Sequence, residues 1–354
     1  MIELNKLKQF KPPSDWIQIQ TLEAHTGGEP LRVILSGYPI LNGDTILAKR
    51  QDIYQNHDWL RTALMWEPRG HKDMYGALLV EPESSSSDIG VVFMHNNGYS
   101  TGCGHAVIAL TKIIIESEAV PIVEPITEIV MEVPSGTINA YAAIEDRKIT
   151  KIYFENVPSF VQELDATIQV SDIGSIKYDL AYGGAYYAVI DIDQLGMSLD
   201  RNYLDEIILA GKKIKKAISK KIDCIHPLNS DMNSLYGTIF VSRADNPQCH
   251  SRNICIFADG ELDRSPTGTG VSARAAIEFA KGNLKLNESL MIESVTGSIF
   301  TVTVHKSVSM KDKEAIIPQV SGDASMTGSC TYWIDPKDPL KNGFLLQKDY
   351  RSKE

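Results

Sequence analysis

Ser100-Thr101-Gly102-Cys103-Gly104-His105-Ala106-Val107-Ile108-Ala109 and, much further along, Ser265-Pro266-Thr267-Gly268-Thr269-Gly270-Val271-Ser272-Ala273 are the two stretches on which the fold turns. The first follows the apolar run Val91-Val92-Phe93-Met94 and a turn with Asn97-Gly98; the second follows Ile254-Cys255-Ile256-Phe257 and a turn with Asp259-Gly260. Laid over one another they pair Cys103 with Thr267, Gly104 with Gly268, His105 with Thr269, Val107 with Val271 and Ala109 with Ala273. A strand, a turn, a glycine and a helix used once per half predict two similar domains related by an approximate twofold axis, each presenting a helix N-terminus. The first four N–H groups of such a helix lack internal partners, and its dipole adds partial positive charge at the same end. Two N-termini facing one ligand form a carboxylate site that needs no Arg or Lys. Thr267 to Arg274 also has the look of a phosphate loop, but the Gly-Lys-Ser/Thr ending that grips phosphate and magnesium is absent.

Outward from these stretches, short runs rich in β-branched residues read as strands bounded by Gly, Pro, Asn and Asp: Leu31 to Leu35, Ile129 to Val133, Ile149 to Phe154, Ala188 to Ile192, Gly237 to Val241 and Ile299 to Val304. Helices are expected only near 53–66, 104–117, 201–220 and 268–281, so the chain is strand-rich with few helices. Its 354 residues, 43% hydrophobic and 23% charged, suit two α/β domains of about 150 residues, each able to bury a core.

A formal net charge of −10 argues against nucleic acid, which calls for clustered Lys and Arg. The one dense basic run, Lys212, Lys213, Lys215, Lys216, Lys220 and Lys221, has Ile214, Ile218 and Ile222 interleaved and reads as the solvated face of an amphipathic helix. Met1 to Trp16 is polar and lacks the apolar core of a signal peptide, and no run of about 18 uncharged apolar residues occurs, so a cytoplasmic protein without a membrane partner is expected. The five cysteines, at 103, 224, 249, 255 and 330, contain no Cys-x-x-Cys pair, so neither a disulfide framework nor a metal site is expected. Cys224, Cys255 and Cys330 read as small buried hydrophobes, and His226 and His250 as isolated polar residues.

Cys103 stands apart. At a helix N-terminus the dipole and the free amides favour the thiolate, making it a nucleophile or a base. A nucleophile needs a histidine to take its proton and an oxyanion hole. His105, two residues on, is expected to point elsewhere, which leaves His25, His71 or His95 with nothing to choose among them. A base needs only an α-proton facing the sulfur and stabilisation of the enediolate, which paired helix N-termini provide because hydrogen bonds to a carboxylate strengthen as it becomes an aci-carboxylate. Proton abstraction is the favoured chemistry.

Five segments, His25-Thr26-Gly27-Gly28-Glu29-Pro30-Leu31-Arg32-Val33, Glu67 to Ala77, Cys103-Gly104-His105, Tyr182-Gly183-Gly184-Ala185-Tyr186-Tyr187-Ala188 and Asp263-Arg264-Ser265-Pro266-Thr267-Gly268-Thr269-Gly270, resemble the proline racemase family in order and spacing, from about residue 18 to 345. The resemblance implies a diaminopimelate-epimerase-like α/β fold, two domains each with strands wrapped around a central helix and the active site in the cleft. The first domain would span 15–160 and carry Cys103, and the second 161–324 and carry Thr267; this fold allows the C-terminal segment 325–354 to return to the first. The family's racemases and epimerases use two cysteines, one per face of the substrate. Cys103 matches the first, whereas Thr267 stands where the second belongs. A threonine hydroxyl is far too weak an acid to protonate a carbanion as a thiol does, so racemisation should fail. The Cys/Thr pair is that of the family's trans-3-hydroxy-L-proline dehydratases, which implies a cofactor-free lyase acting on a small cyclic imino acid, and relatives suggest a homodimer. Carried over, Gly104, His105, Gly268 and Thr269 would hydrogen-bond the carboxylate, Asp263 would hold the ring nitrogen, and Thr267 would pack or position the ring. The competing readings are a 4-hydroxyproline epimerase or proline racemase, a cysteine hydrolase, and an amino-acid-binding module without chemistry.

Overall fold

In the computed structural model, which describes residues 2–346, two helices have no solvent face. Within the first, Gly104–Glu116, every residue from Gly104 to Ile115 except Lys112 is buried; its counterpart, Gly268–Ala280, is buried from Gly268 to Ile277. A helix that is apolar all round must be enclosed, and here strands wrap each one.

The hydrogen-bond ladders repeat. In the first half Ile17–Thr26 pairs antiparallel with Glu29–Ser36, which runs parallel to Tyr75–Val80; that strand pairs antiparallel with Ile89–His95, which takes the short strand Gly98–Ser100 antiparallel and Ile126–Val133 parallel, and Gly136–Glu145 and Lys148–Glu155 follow antiparallel. The second half has the same sequence of relations through Gly174–Tyr182, Tyr186–Asp191, Leu235–Ser242, Ser251–Phe257, Glu261–Asp263, Ser289–Glu293, Ile299–Met310 and Lys313–Gly322. Each half also has a strand added antiparallel at its open edge, Ala324–Ile334 beside Ile17–Thr26 and Phe160–Val170 beside Gly174–Tyr182. The halves join where Lys148–Glu155 pairs with Lys313–Gly322. Residues 347–354 of the segment 325–354, and Met1, lie outside the described residues.

The expected α/β, strand-rich architecture is the one observed, with shifts at element ends. The helix expected at 53–66 begins earlier, because the Thr45 hydroxyl caps Ile46–Asp52 by accepting from the Ala48 N–H at 3.1 Å; a π-turn over Ile53–His57 then leads into Asp58–Met65. The basic helix is Leu204–Lys221, with Ile214 and Ile218 buried and Lys213 paired to Asp172 at 3.3 Å. Ile222 lies just past its end. Cys224 and Cys255 are buried as expected, whereas Cys330 is only half-buried because its strand lies at a sheet edge.

Candidate active site

The site begins with two glycines. A Cβ on Gly104 would lie 2.5 Å from Gly268 Cα, and one on Gly268 would lie 2.5 Å from Gly104 Cα. The two helix starts touch backbone to backbone, which only glycine permits. Their residues before the first turn, Cys103 and Thr267, therefore flank a single cavity of about 20 Å³, so the walls must move apart to admit a ring the size of a cyclic amino acid. Cys103, Gly104, His105, Asp263, Thr267, Gly268 and Thr269 all line it. His25, His71 and His95 do not.

One expectation about His105 is overturned. Its ring turns back toward the preceding turn, with Nδ1 3.1 Å from the Cys103 sulfur. Nε2 lies 3.7 Å from the same sulfur, so the neutral ring can turn an unprotonated nitrogen to the thiol and accept its proton, with the Pro30 carbonyl oxygen nearby favouring an N–H on the ring. The expected thiolate is overturned as well. Burial pushes the Cys103 thiol well up, against the downward pull of the Ala106 N–H and the Tyr75 hydroxyl, and burial presses His105 down to about 3. With burial acting on both groups, the pair is a thiol hydrogen-bonded to a neutral imidazole. The helix-terminus effect is real but smaller than the cost of an uncompensated buried charge.

Thr267 is held at φ +68, in the left-handed region that a β-branched residue rarely visits. Its Oγ1 is buried near Asp263 and Cys255 without a well-formed hydrogen bond. Such an orphan is costly unless a ligand completes it. Asp263, at the end of the strand Glu261–Asp263, accepts from the Ser265 N–H at 2.8 Å, and burial lifts its carboxyl to about 6. Thr269 Oγ1 shares a 2.7 Å hydrogen bond with the Tyr187 hydroxyl, in which either oxygen can donate.

Sequence reasoning missed Tyr75, Tyr187, Tyr236 and Phe257, which complete the cavity wall. Tyr75 and Tyr187 lie inside quoted motifs, so their position was the available signal; for Tyr236 there was none. A clasp of polar contacts joins the two halves. Arg264 faces Glu29 and Asp73, each at 3.6 Å, its backbone N–H donates to Glu29 at 2.8 Å, and Thr296 donates to the Gly27 carbonyl oxygen at 2.7 Å. Beside it His95 meets Glu261 at 2.8 Å. Cys103 and Thr267 are each only 5% exposed. Among the described residues no group of three or more His, Cys, Asp or Glu side chains is placed to share a metal ion.

The family model described as proline racemase matches residues 21–345. The trans-3-hydroxy-L-proline dehydratase of Colwellia psychrerythraea is 48% identical over 345 residues, 97% of each chain. The trans-L-3-hydroxyproline dehydratase of Xenopus tropicalis is 40% identical over 339 residues, 95% of this chain and 97% of its own. Among solved structures, a hydroxyproline epimerase from Agrobacterium vitis with bound trans-4-hydroxy-L-proline superposes with a TM-score of 0.88 at 30% identity, covering 94% of this chain and 96% of its own.

Proposed function

We propose that this chain, which belongs to the proline racemase family, is a trans-3-hydroxy-L-proline dehydratase, a hydro-lyase that releases water and Δ1-pyrroline-2-carboxylate. The observation that carries the reading is the pairing of one ionisable sulfur, Cys103, with an alcohol, Thr267, at two abutting helix starts in one cavity.

The substrate carboxylate would be held by the amides of Gly104, His105, Gly268 and Thr269, and its ring ammonium by Asp263. The ammonium's positive charge favours the Cys103 thiolate, and the thiolate's negative charge in turn favours the imidazolium that takes its proton at His105 Nδ1. The thiolate takes the proton from C2, and the electron pair moves into the carboxylate, where the two sets of amides stabilise it as an aci-carboxylate. In the trans isomer the C3 hydroxyl lies on the same ring face as the C2 proton, so both depart on the sulfur side. The C3–O bond breaks, the oxygen leaves with one proton as water, and the enamine tautomerises to the cyclic imine. Thr267, opposite, cannot return a proton to C2, so the reaction proceeds forward as elimination and not as inversion.

The two halves, 15–160 joined by the described part of 325–354, and 161–324, would act as jaws around this site, with Arg264 pairing across them to Glu29 and Asp73. A homodimer in the cytoplasm is the proposed setting, in line with the family; among the described residues no helix is long and apolar enough to cross a membrane. The test is to incubate the purified, metal-stripped protein with trans-3-hydroxy-L-proline and follow the cyclic imine, with Cys103→Ser beside it. Imine from the wild type and none from the variant is expected. Imine from both overturns the base assignment, and D-proline formed from L-proline by the wild type would make it a racemase instead.

A further inference from the structure

We propose that Tyr75 is the proton carrier that completes the elimination, receiving at its hydroxyl the proton that Cys103 took from C2 while passing its own to the departing C3 oxygen. The inference rests on the dehydratase reading and names the group that reading leaves open.

The leaving oxygen lies on the sulfur side of the ring, so its acid must stand next to Cys103. Tyr75 begins the strand Tyr75–Val80, is buried, and lines the cavity. Its hydroxyl hydrogen-bonds Ser100 Oγ and reaches the Cys103 sulfur, while its ring packs edge-on against His105 with 4.8 Å between centroids. His105 faces the sulfur with Nδ1 at 3.1 Å and is occupied there as the partner of the Cys103 proton. Asp263 sits with Ser265 and Thr267 in the opposite half.

The repeat supplies an independent argument. Tyr75 pairs with His95, the last residue of the strand that precedes the Cys103 turn; at the same place in the second half Gly237 pairs with Phe257. At this register position the half with the thiol has a phenol and the half with the threonine has a glycine, its own cavity-lining phenols, Tyr187 and Tyr236, standing elsewhere, Tyr187 against Thr269. Chemical asymmetry between the two faces involves both positions together.

Atoms and charges balance. The C2–H bond breaks and S–H forms; the C3–O bond breaks as the oxygen takes the Tyr75 proton; the phenolate then takes the thiol proton, and the thiolate is restored. Burial makes Tyr75 a weaker acid than a free phenol, yet a departing hydroxide is a stronger base still and accepts its proton. No proton from bulk water is needed beside a sulfur this buried.

Tyr75→Phe keeps the packed ring and removes only the hydroxyl. Water loss from trans-3-hydroxy-L-proline is expected to fall about 10²- to 10⁴-fold, the usual worth of a general acid, with KM nearly unchanged. Elimination from trans-3-chloro-L-proline, whose chloride leaves without a proton, should stay near the wild-type rate in Tyr75→Phe and be lost in Cys103→Ser. A Tyr75→Phe variant that dehydrates at the wild-type rate, or that loses chloride elimination as severely as water loss, overturns the relay while leaving the dehydratase reading intact. A wild type inactive on both compounds overturns that reading and the relay with it.

Discussion

Replacing Gly104 by alanine probes the contact that builds the site. The added methyl would stand 2.5 Å from Gly268 Cα, 3.1 Å from its carbonyl carbon and 3.0 Å from Phe154 Cζ. Carbon atoms rest at about 3.5–4.0 Å, so the two helix starts must part by about 1 Å. Overpacking of this kind costs about 1–3 kcal/mol, which in a chain of this length lowers Tm by a few degrees. The functional cost is larger. The carboxylate has to reach amides on both helices at once, and a displacement of about 1 Å at a reacting centre costs on the order of 10²-fold in rate. Steady-state kinetics on trans-3-hydroxy-L-proline should show kcat/KM falling about a hundredfold, and differential scanning calorimetry a protein that still unfolds cooperatively. Gly268→Ala would place its methyl in the same gap, so the double variant should lose much less than the product of the two single losses. A Gly104→Ala enzyme whose Tm drops but whose kcat/KM is within threefold of wild type would refute a carboxylate held between the two helix starts.

His105→Gln keeps the backbone amide and removes the imidazole that accepts the thiol proton, so kcat should fall about 10²- to 10⁴-fold with little change in KM; a raised KM at unchanged kcat would mean that the ring only binds. Because the Asp263 carboxyl titrates at about 6, kcat/KM should decline as pH falls through that value, where the protonated acid no longer holds a ring ammonium; a flat profile from pH 7.5 to roughly 4.5 would remove Asp263 from that role. The same shift has a stability consequence of opposite sense. An acid raised in the fold above its unfolded value of about 3.9 favours folding below that value and loses the contribution as pH rises through about 6, so Asp263→Asn should be the more stable protein at pH 8, by up to about 3 kcal/mol, with the gap closing toward pH 4; equal Tm at both pH values would contradict it.

The parts legible in the sequence were those set by local pattern. The strand, turn, glycine and helix shared by the two quoted stretches placed Cys103 opposite Thr267, and both central helices begin at the expected glycines. The reach of the sheets was less visible. Strands such as Gly136–Glu145 and Lys313–Gly322 alternate buried and half-exposed residues and are fixed by long antiparallel ladders, not by a run of β-branched side chains. The ionisation of Cys103 was misread because the helix dipole is a local property, whereas burial is supplied by elements far away in the chain. His105 was misread for the same reason: the Pro30 carbonyl oxygen and the face of Tyr75 set its ring, and neither is near it in sequence. Tyr75 acquires its position only when its strand is laid beside the one that leads into the Cys103 turn.

The opposition of one reactive sulfur to one inert alcohol is tested most directly by Thr267→Cys incubated with L-proline in deuterium oxide, with chiral chromatography and mass spectrometry of the recovered amino acid. The expected result is D-proline carrying one deuterium at C2 from the variant and none from the wild type. No D-proline from a folded variant that still dehydrates trans-3-hydroxy-L-proline, or D-proline from the wild type itself, would contradict the account.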